Sequence, residues 1–144
     1  MSSVNNFVDG KFSDSSSSKL DVWSPINGKK ISEVNLSNAD ELDKIVASAQ
    51  NAFKSWSKIV LKDRAKIFYL FRDLLQKNID DLAEAIREEN GKTIEEARAE
   101  VMNGIELAEF ASSMPQIISD EIQVVSKGVE CRSSHYPLGV VGSI

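Results

Sequence analysis

The spacing of apolar residues changes period as the chain advances, and each change predicts a different element. "NFVDGKF" sets Asp9-Gly10 between apolar flanks, which predicts a tight hairpin because glycine accepts the positive φ such a turn needs. The run Ser15 to Ser18 reads as a solvated loop. "KLDVWSPINGKKISEV" then predicts a second pair of strands. Pro25 opens their turn and Asn27-Gly28 closes it, with Leu20, Val22, Ile31 and Val34 as the expected inward positions.

From Ser37 the period becomes helical. Ser37 is the expected N-cap, with Asp40 and Glu41 in the first turn where the helix dipole favours negative charge. Leu42, Ile45, Val46, Ala49, Phe53 and Trp56 keep one face. A second helix is expected from about Asp63, burying Ile67, Leu70, Phe71, Leu74 and Leu75. A third starts near Asp80, carries Leu82 and Ile86, and ends at Asn90-Gly91 on a left-handed glycine cap. Thr93 with Glu96 forms a capping box for a fourth, whose inner stripe is Ala97, Val101, Ile105, Ala108 and Ala111. Met114-Pro115 should end that stripe.

Alternation returns in "EIQVVSKGVECRSSHY", which predicts a two-stranded ribbon turning at Ser126-Lys127-Gly128. The closing "HYPLGVVGSI" reads as a strand buried on both faces, as in a parallel sheet. Strands, helices, a ribbon and one core-like strand predict an α/β fold, and describe the opening of a larger protein better than a finished domain.

Composition narrows the partners. Of 144 residues, 42% are hydrophobic and 27% charged, the balance of a soluble globular chain. Acidic residues number 22 against 17 basic, for a net charge of −5, which disfavours nucleic acid as a partner. No window approaches the ~20 apolar residues of a membrane span, and "MSSVNNFVDG" carries neither signal-peptide nor transit-peptide character. With one cysteine there is no internal disulfide framework, and a cytoplasmic location is expected.

Candidate chemistry is sparse. Cys131 and His135 are the one cysteine and the one histidine. Four residues of strand span about 13 Å, beyond the reach of a nucleophile–base hydrogen bond. They also cannot supply a four-ligand metal site. "ENGKT" has a superficial likeness to a phosphate loop but lacks its first glycine and follows a helix, so a C-cap running into an N-cap is expected. Glu88, Glu89, Glu95, Glu96 and Glu100 read as solvated helix faces. No complete catalytic set and no metal set is present by residue chemistry.

"NFVDGKF", "SPINGKKISEV", "SAQNAFKSW", "ENGKTIEEARAEV" and "PLGVVGSI" together resemble the N-terminal part of the aldehyde dehydrogenase superfamily, in the right order and at suitable intervals. "GKTIEEARAEVMNGIELAEFA" and "SKGVECRSSHYPLGVV" are most similar to its methylmalonate-semialdehyde dehydrogenase branch. The resemblance implies β-hairpins over residues 1–36, a helical part of the cofactor-binding domain over 37–115, an oligomerisation-type ribbon over 116–136 and the start of the dinucleotide-binding sheet over 137–144. It also implies an explanation for the apolar ending: "PLGVVGSI" leads into the first strand of that sheet, and the chain is the opening part of a longer enzyme. Cysteine nucleophile, general-base glutamate and cofactor turn would all lie downstream, so that the chain alone is inactive.

The implied reaction oxidises a small-molecule aldehyde through a cysteine thioester, with NAD taking the hydride. In the methylmalonate-semialdehyde branch coenzyme A accepts the acyl group. Ile144 matches a family position near the bound cofactor. Asn103 stands where the branch has an arginine that binds the substrate carboxylate, and a neutral amide cannot form that bidentate charged pair. The alternatives are therefore a branch acting on a non-carboxylated aldehyde, or a stand-alone helical module that binds full-length subunits. For the complete enzyme a homo-oligomer is expected.

Overall fold

Asp9 and Gly10 both adopt positive φ, 57° and 74°, and this turn pairs β2 (Asn6–Val8) with β3 (Lys11–Ser13) in the predicted hairpin. Across it Phe7 and Phe12 meet edge to face, ring centroids 5.1 Å apart. The computed structural model describes residues 2–13 and 18–144, so the serine run falls outside it except for Ser18.

A three-stranded sheet comes next, in the order β1 (Ser2–Val4), β5 (Lys30–Asn35), β4 (Lys19–Trp23), with β1 parallel and β4 antiparallel to β5. Buried Ser24 closes the β4–β5 turn: its N–H donates to the Lys29 carbonyl at 2.9 Å, and its own carbonyl accepts from the Gly28 N–H at 2.8 Å. Val22, Ile31 and Val34 are half-buried as expected, whereas Leu20 is exposed. Lys30 lies between Asp21 at 2.7 Å and Glu33 at 2.5 Å.

The helices are α1 (Ala39–Trp56), α2 (Leu61–Lys77), α3 (Ile79–Asn90), α4 (Ile94–Ser112) and a short α5 (Met114–Ile117). Asn38, not Ser37, caps α1. Its side chain accepts from the Glu41 N–H at 2.9 Å, and its own N–H donates to Glu41 Oε2 at 3.1 Å. The reciprocal box requires Glu or Gln three residues on, which Asn38 has and Ser37 lacks. At Gly91 (φ 73°) the left-handed cap ends α3, and Thr93 caps α4 with Glu96, as the sequence predicts. Pro115 does not end helical structure outright: it sits in the first turn of α5, where its missing N–H costs nothing.

α4 is the central helix, packing on α2, α3 and α5. Ala97, Val101, Ile105 and Ala108 are buried along its stripe and Ala111 is half-buried; Ser112 completes the inner face, its hydroxyl donating to the Ala108 carbonyl at 2.9 Å. Ala65 of α2 and Ala83 of α3 are also buried, so small residues bring the helices close. The expected inner face of α2 is corrected: Ile67, Leu70, Phe71 and Leu74 are exposed and Leu75 half-buried, because α4 meets the side carrying Ala65.

β6 (Glu121–Ser126) and β7 (Val129–Ser133) form the ribbon, turning at Lys127-Gly128. Residues 134–144 form no strand among the described residues. Leu138 and Val141 are 98% and 75% exposed, so the expected buried strand is corrected. A strand needs ladder partners, and none of the described residues pairs with this segment. The chain exposes 11243 Å², against about 7,400 Å² for a compact monomer of this size.

Candidate functional site

α4 faces the core on one side and presents Asn103 on the other. The Thr93–Glu96 box fixes where the helix begins, and the buried stripe fixes its rotation, so Glu96, Ala99, Glu100 and Asn103 face outward together. With Lys92 they line an open groove of about 460 Å³. Asn103 is exposed within it.

The electrostatics of this groove are those of its carboxylates. Lys92 is its one lysine or arginine and is hydrogen-bonded to Glu100. Glu96 accepts from the Thr93 N–H at 3.0 Å and from the Thr93 hydroxyl at 2.9 Å. These bonds, with the nearby charge of Lys92, hold its carboxyl below the usual glutamate range, and it is ionised at neutral pH. One ammonium therefore faces two carboxylates. The neutral Asn103 amide stands exposed beside them. The Lys92–Glu100 pair was not foreseen, since its members are eight residues apart and meet only because the cap folds Lys92 back along α4.

Cys131 lies exposed in β7 opposite Gln123. His135 lies past the end of the strand; its backbone N–H donates to Asp120 Oδ1 at 3.1 Å and its Nδ1 lies 3.7 Å from the same oxygen. No hydrogen bond joins Cys131 to His135 among the described residues. In "ENGKT" the cap-to-cap geometry replaces any phosphate cradle: Pro25 Cγ lies 2.9 Å from where a Gly91 Cβ would project. No group of three His, Cys, Asp or Glu side chains could hold a metal ion, and no helix is long and apolar enough to cross a membrane, among the described residues.

The family model described as the aldehyde dehydrogenase family matches residues 12–144. The chain belongs to the aldehyde dehydrogenase family. Its relatives include malonate-semialdehyde dehydrogenase 3 of Bacillus cereus (strain ZK / E33L), 38% identical over 143 residues, covering 98% of this chain and 29% of that protein. Malonate-semialdehyde dehydrogenase 1 of Shouchella clausii (strain KSM-K16) is 39% identical over the same length and coverage. Among solved structures, methylmalonate-semialdehyde dehydrogenase from Oceanimonas doudoroffii superposes with a TM-score of 0.91 at 25% identity, covering 96% of this chain and 28% of that one. A Sinorhizobium meliloti 1021 protein solved in complex with NAD gives 0.85 at 29% identity, covering 92% and 27%.

This aldehyde dehydrogenase family chain thus spans 29% of the length of the curated relatives it matches. Its α/β architecture is that of the N-terminal part of the family fold. Ile144 is fully exposed, and neither it nor Gly139 or Gly142 lines the Asn103 groove.

Proposed function

We propose that the chain is the N-terminal part of an NAD-dependent dehydrogenase that oxidises a semialdehyde of the malonate or methylmalonate type. The observation that carries this reading is 38% identity to a malonate-semialdehyde dehydrogenase across 98% of the chain. NAD is inferred from the NAD complex of a structural relative, and no reaction step is routed through these residues to it. The nucleophile is not assigned to Cys131, which sits exposed on a ribbon and makes no hydrogen bond to His135 among the described residues. The role of the described residues is support: α4 positions the Asn103 groove, residues 37–115 pack against the cofactor domain, and the 116–136 ribbon pairs subunits in a homo-oligomer. In the family-length enzyme, which would supply the strand partners missing beside them here, residues 137–144 enter the dinucleotide-binding sheet and bring Ile144 near the cofactor. The acyl group passes to coenzyme A or to water, and the unpaired cysteine suits a reducing cytoplasm.

A second reading, oxidation of an uncharged aldehyde, is favoured by one specific observation: Asn103 is neutral and its lysine neighbour is already engaged by Glu100. The two readings part in the family-length enzyme carrying this chain. Malonate semialdehyde and a neutral aldehyde of similar size are compared by kcat/KM, from NADH formation, with and without Asn103→Arg. A charge-assisted contact is worth about 1.5–3 kcal/mol, so the substitution should raise preference for the carboxylated substrate by roughly one to two orders of magnitude. An unchanged ratio means that Asn103 does not meet the substrate. Absence of NADH formation with both aldehydes overturns the dehydrogenase reading.

A further inference from the structure

α2 carries an apolar stripe on the side turned away from its packing neighbours. Ile67, Leu70, Phe71 and Leu74 follow one another at three- and four-residue spacing, and each is half or more exposed, while Ala65 on the other side is buried. Charged residues border this stripe in a fixed order. At about 100° of turn per residue, Asp63, Lys66, Asp73 and Lys77 fall along a single flank of it, and all four are exposed. From the N-terminal to the C-terminal end their signs read negative, positive, negative, positive.

That order is its own complement when reversed. In an antiparallel pair about a two-fold axis beside Leu70, Asp63 of one copy stands level with Lys77 of the other, and Lys66 stands within one residue of Asp73. Such an axis keeps the charged flanks of the two helices on the same side, so the opposite charges meet. In a parallel, in-register pair each would meet its own sign. We propose that the exposed face of α2 pairs antiparallel with the same face of a second copy of this chain, apolar stripe inside and the four charges at its border. Complementary charges of this kind select partner and register. Asp63 already meets Lys66 at 2.8 Å and Asp73 meets Arg72 at 3.1 Å, but these are exposed contacts of little net worth and free to be shared. A membrane surface would call for a basic flank, and this one is balanced.

The 17 residues of α2 make a face about 25 Å long, so a pair through it alone falls at the small end of specific interfaces, with a Kd on the order of micromolar. The pairing does not rest on the dehydrogenase reading: it concerns the 144-residue chain and uses neither the Asn103 groove nor the β6–β7 ribbon.

Sedimentation equilibrium of the 144-residue chain, from about 1 to about 200 μM so as to bracket that Kd, is the test. It should show a single monomer–dimer equilibrium. Leu70→Asp sets two carboxylates against each other beside the axis and should raise Kd by about a hundredfold or more. Lys77→Glu turns two attractive pairs repulsive and should raise it about tenfold. Adding Asp63→Lys to Lys77→Glu exchanges the two signs and should bring Kd most of the way back, which a general loss of stickiness would not do. All of these positions are exposed, and circular dichroism checks that each variant keeps its helices. A chain that stays monomeric throughout overturns the proposal and leaves the face to another polypeptide. So does association that never saturates at a dimer, or a Kd that Lys77→Glu leaves unchanged. A dimer that survives Leu70→Asp but is lost in Val124→Asp belongs to the ribbon and overturns it too.

Discussion

The α3–α4 pair and the segment from β6 to Ile144 are both rich in apolar residues, yet they meet opposite fates. In the pair, Ala83, Ala97, Val101 and Ile105 are buried at 6% exposure or less. In the ribbon and beyond, Ile122, Val124, Leu138 and Val141 are all more than half exposed. The difference is not hydrophobicity but supply of partners: α3 and α4 are neighbours in sequence and cover each other, whereas the ribbon strands pair only edge to edge and leave both faces open. Apolar spacing records which face is meant to be covered. Whether the cover is present depends on what else the chain contains.

The largest expected effect sets these two regions against each other. Ile105→Ala should destabilise the chain by about 2–5 kcal/mol, since it opens a cavity in the central helix. Val141→Ala, on an exposed side chain without packing, should change stability by no more than about 0.5 kcal/mol. Denaturant melts of both variants measure the gap. Comparable losses would show that the terminal segment packs after all.

Next comes the junction that holds the sheet to the helices. Gly91→Ala must adopt a left-handed backbone, at about 1–2 kcal/mol, and must also place its Cβ 2.9 Å from Pro25 Cγ. A double-mutant cycle with Pro25→Ala should recover the contact part and leave the backbone part. No coupling between the two substitutions would mean that the β4–β5 turn does not rest on the α3 cap.

Asn38→Ala should cost about 1 kcal/mol by opening the α1 capping box. Ser37→Ala should cost less, because Ser37 does no capping and only accepts from the Asn6 amide at 2.6 Å. Thermal melts followed by circular dichroism rank the two.

The smallest effect concerns the ribbon's one latch. Asp120 accepts from the His135 N–H, and hydrogen bonding from Ser134 adds to this, so its carboxyl lies below the usual aspartate range. A carboxyl lowered in the folded state contributes stability that is present above its unfolded pKa and lost as pH falls through its folded one. Acidification below the ordinary aspartate pKa should therefore release residues 134–135 before the helices respond. The His135 amide shift followed against pH measures it, and Asp120→Asn should remove the transition.

Much of this organisation was legible in the residues. Asp9-Gly10, Asn90-Gly91 and the Thr93–Glu96 box each carry their own geometry locally, and each was found where its chemistry placed it. The cap of α1 was expected at Ser37 and lies at Asn38; the Glu three residues on is the signal that separates them. What could not be read locally was burial. The α2 face of Ile67, Leu70, Phe71 and Leu74 and the run "PLGVVGSI" have core-like patterns, but only a tertiary partner can bury them. The same holds for the groove: Asn103 was singled out by resemblance, while the engagement of Lys92 by Glu100 depends on how the α3–α4 junction folds.

Amide hydrogen exchange of the 144-residue chain tests the central comparison most directly. Amides from Val101 to Ala108 in α4 should be the slowest to exchange, set by opening of the buried helix pair. Those of residues 138–144 should exchange at the rate of an unstructured peptide. Strong protection of residues 138–144, or equal exchange in both regions, would contradict the account.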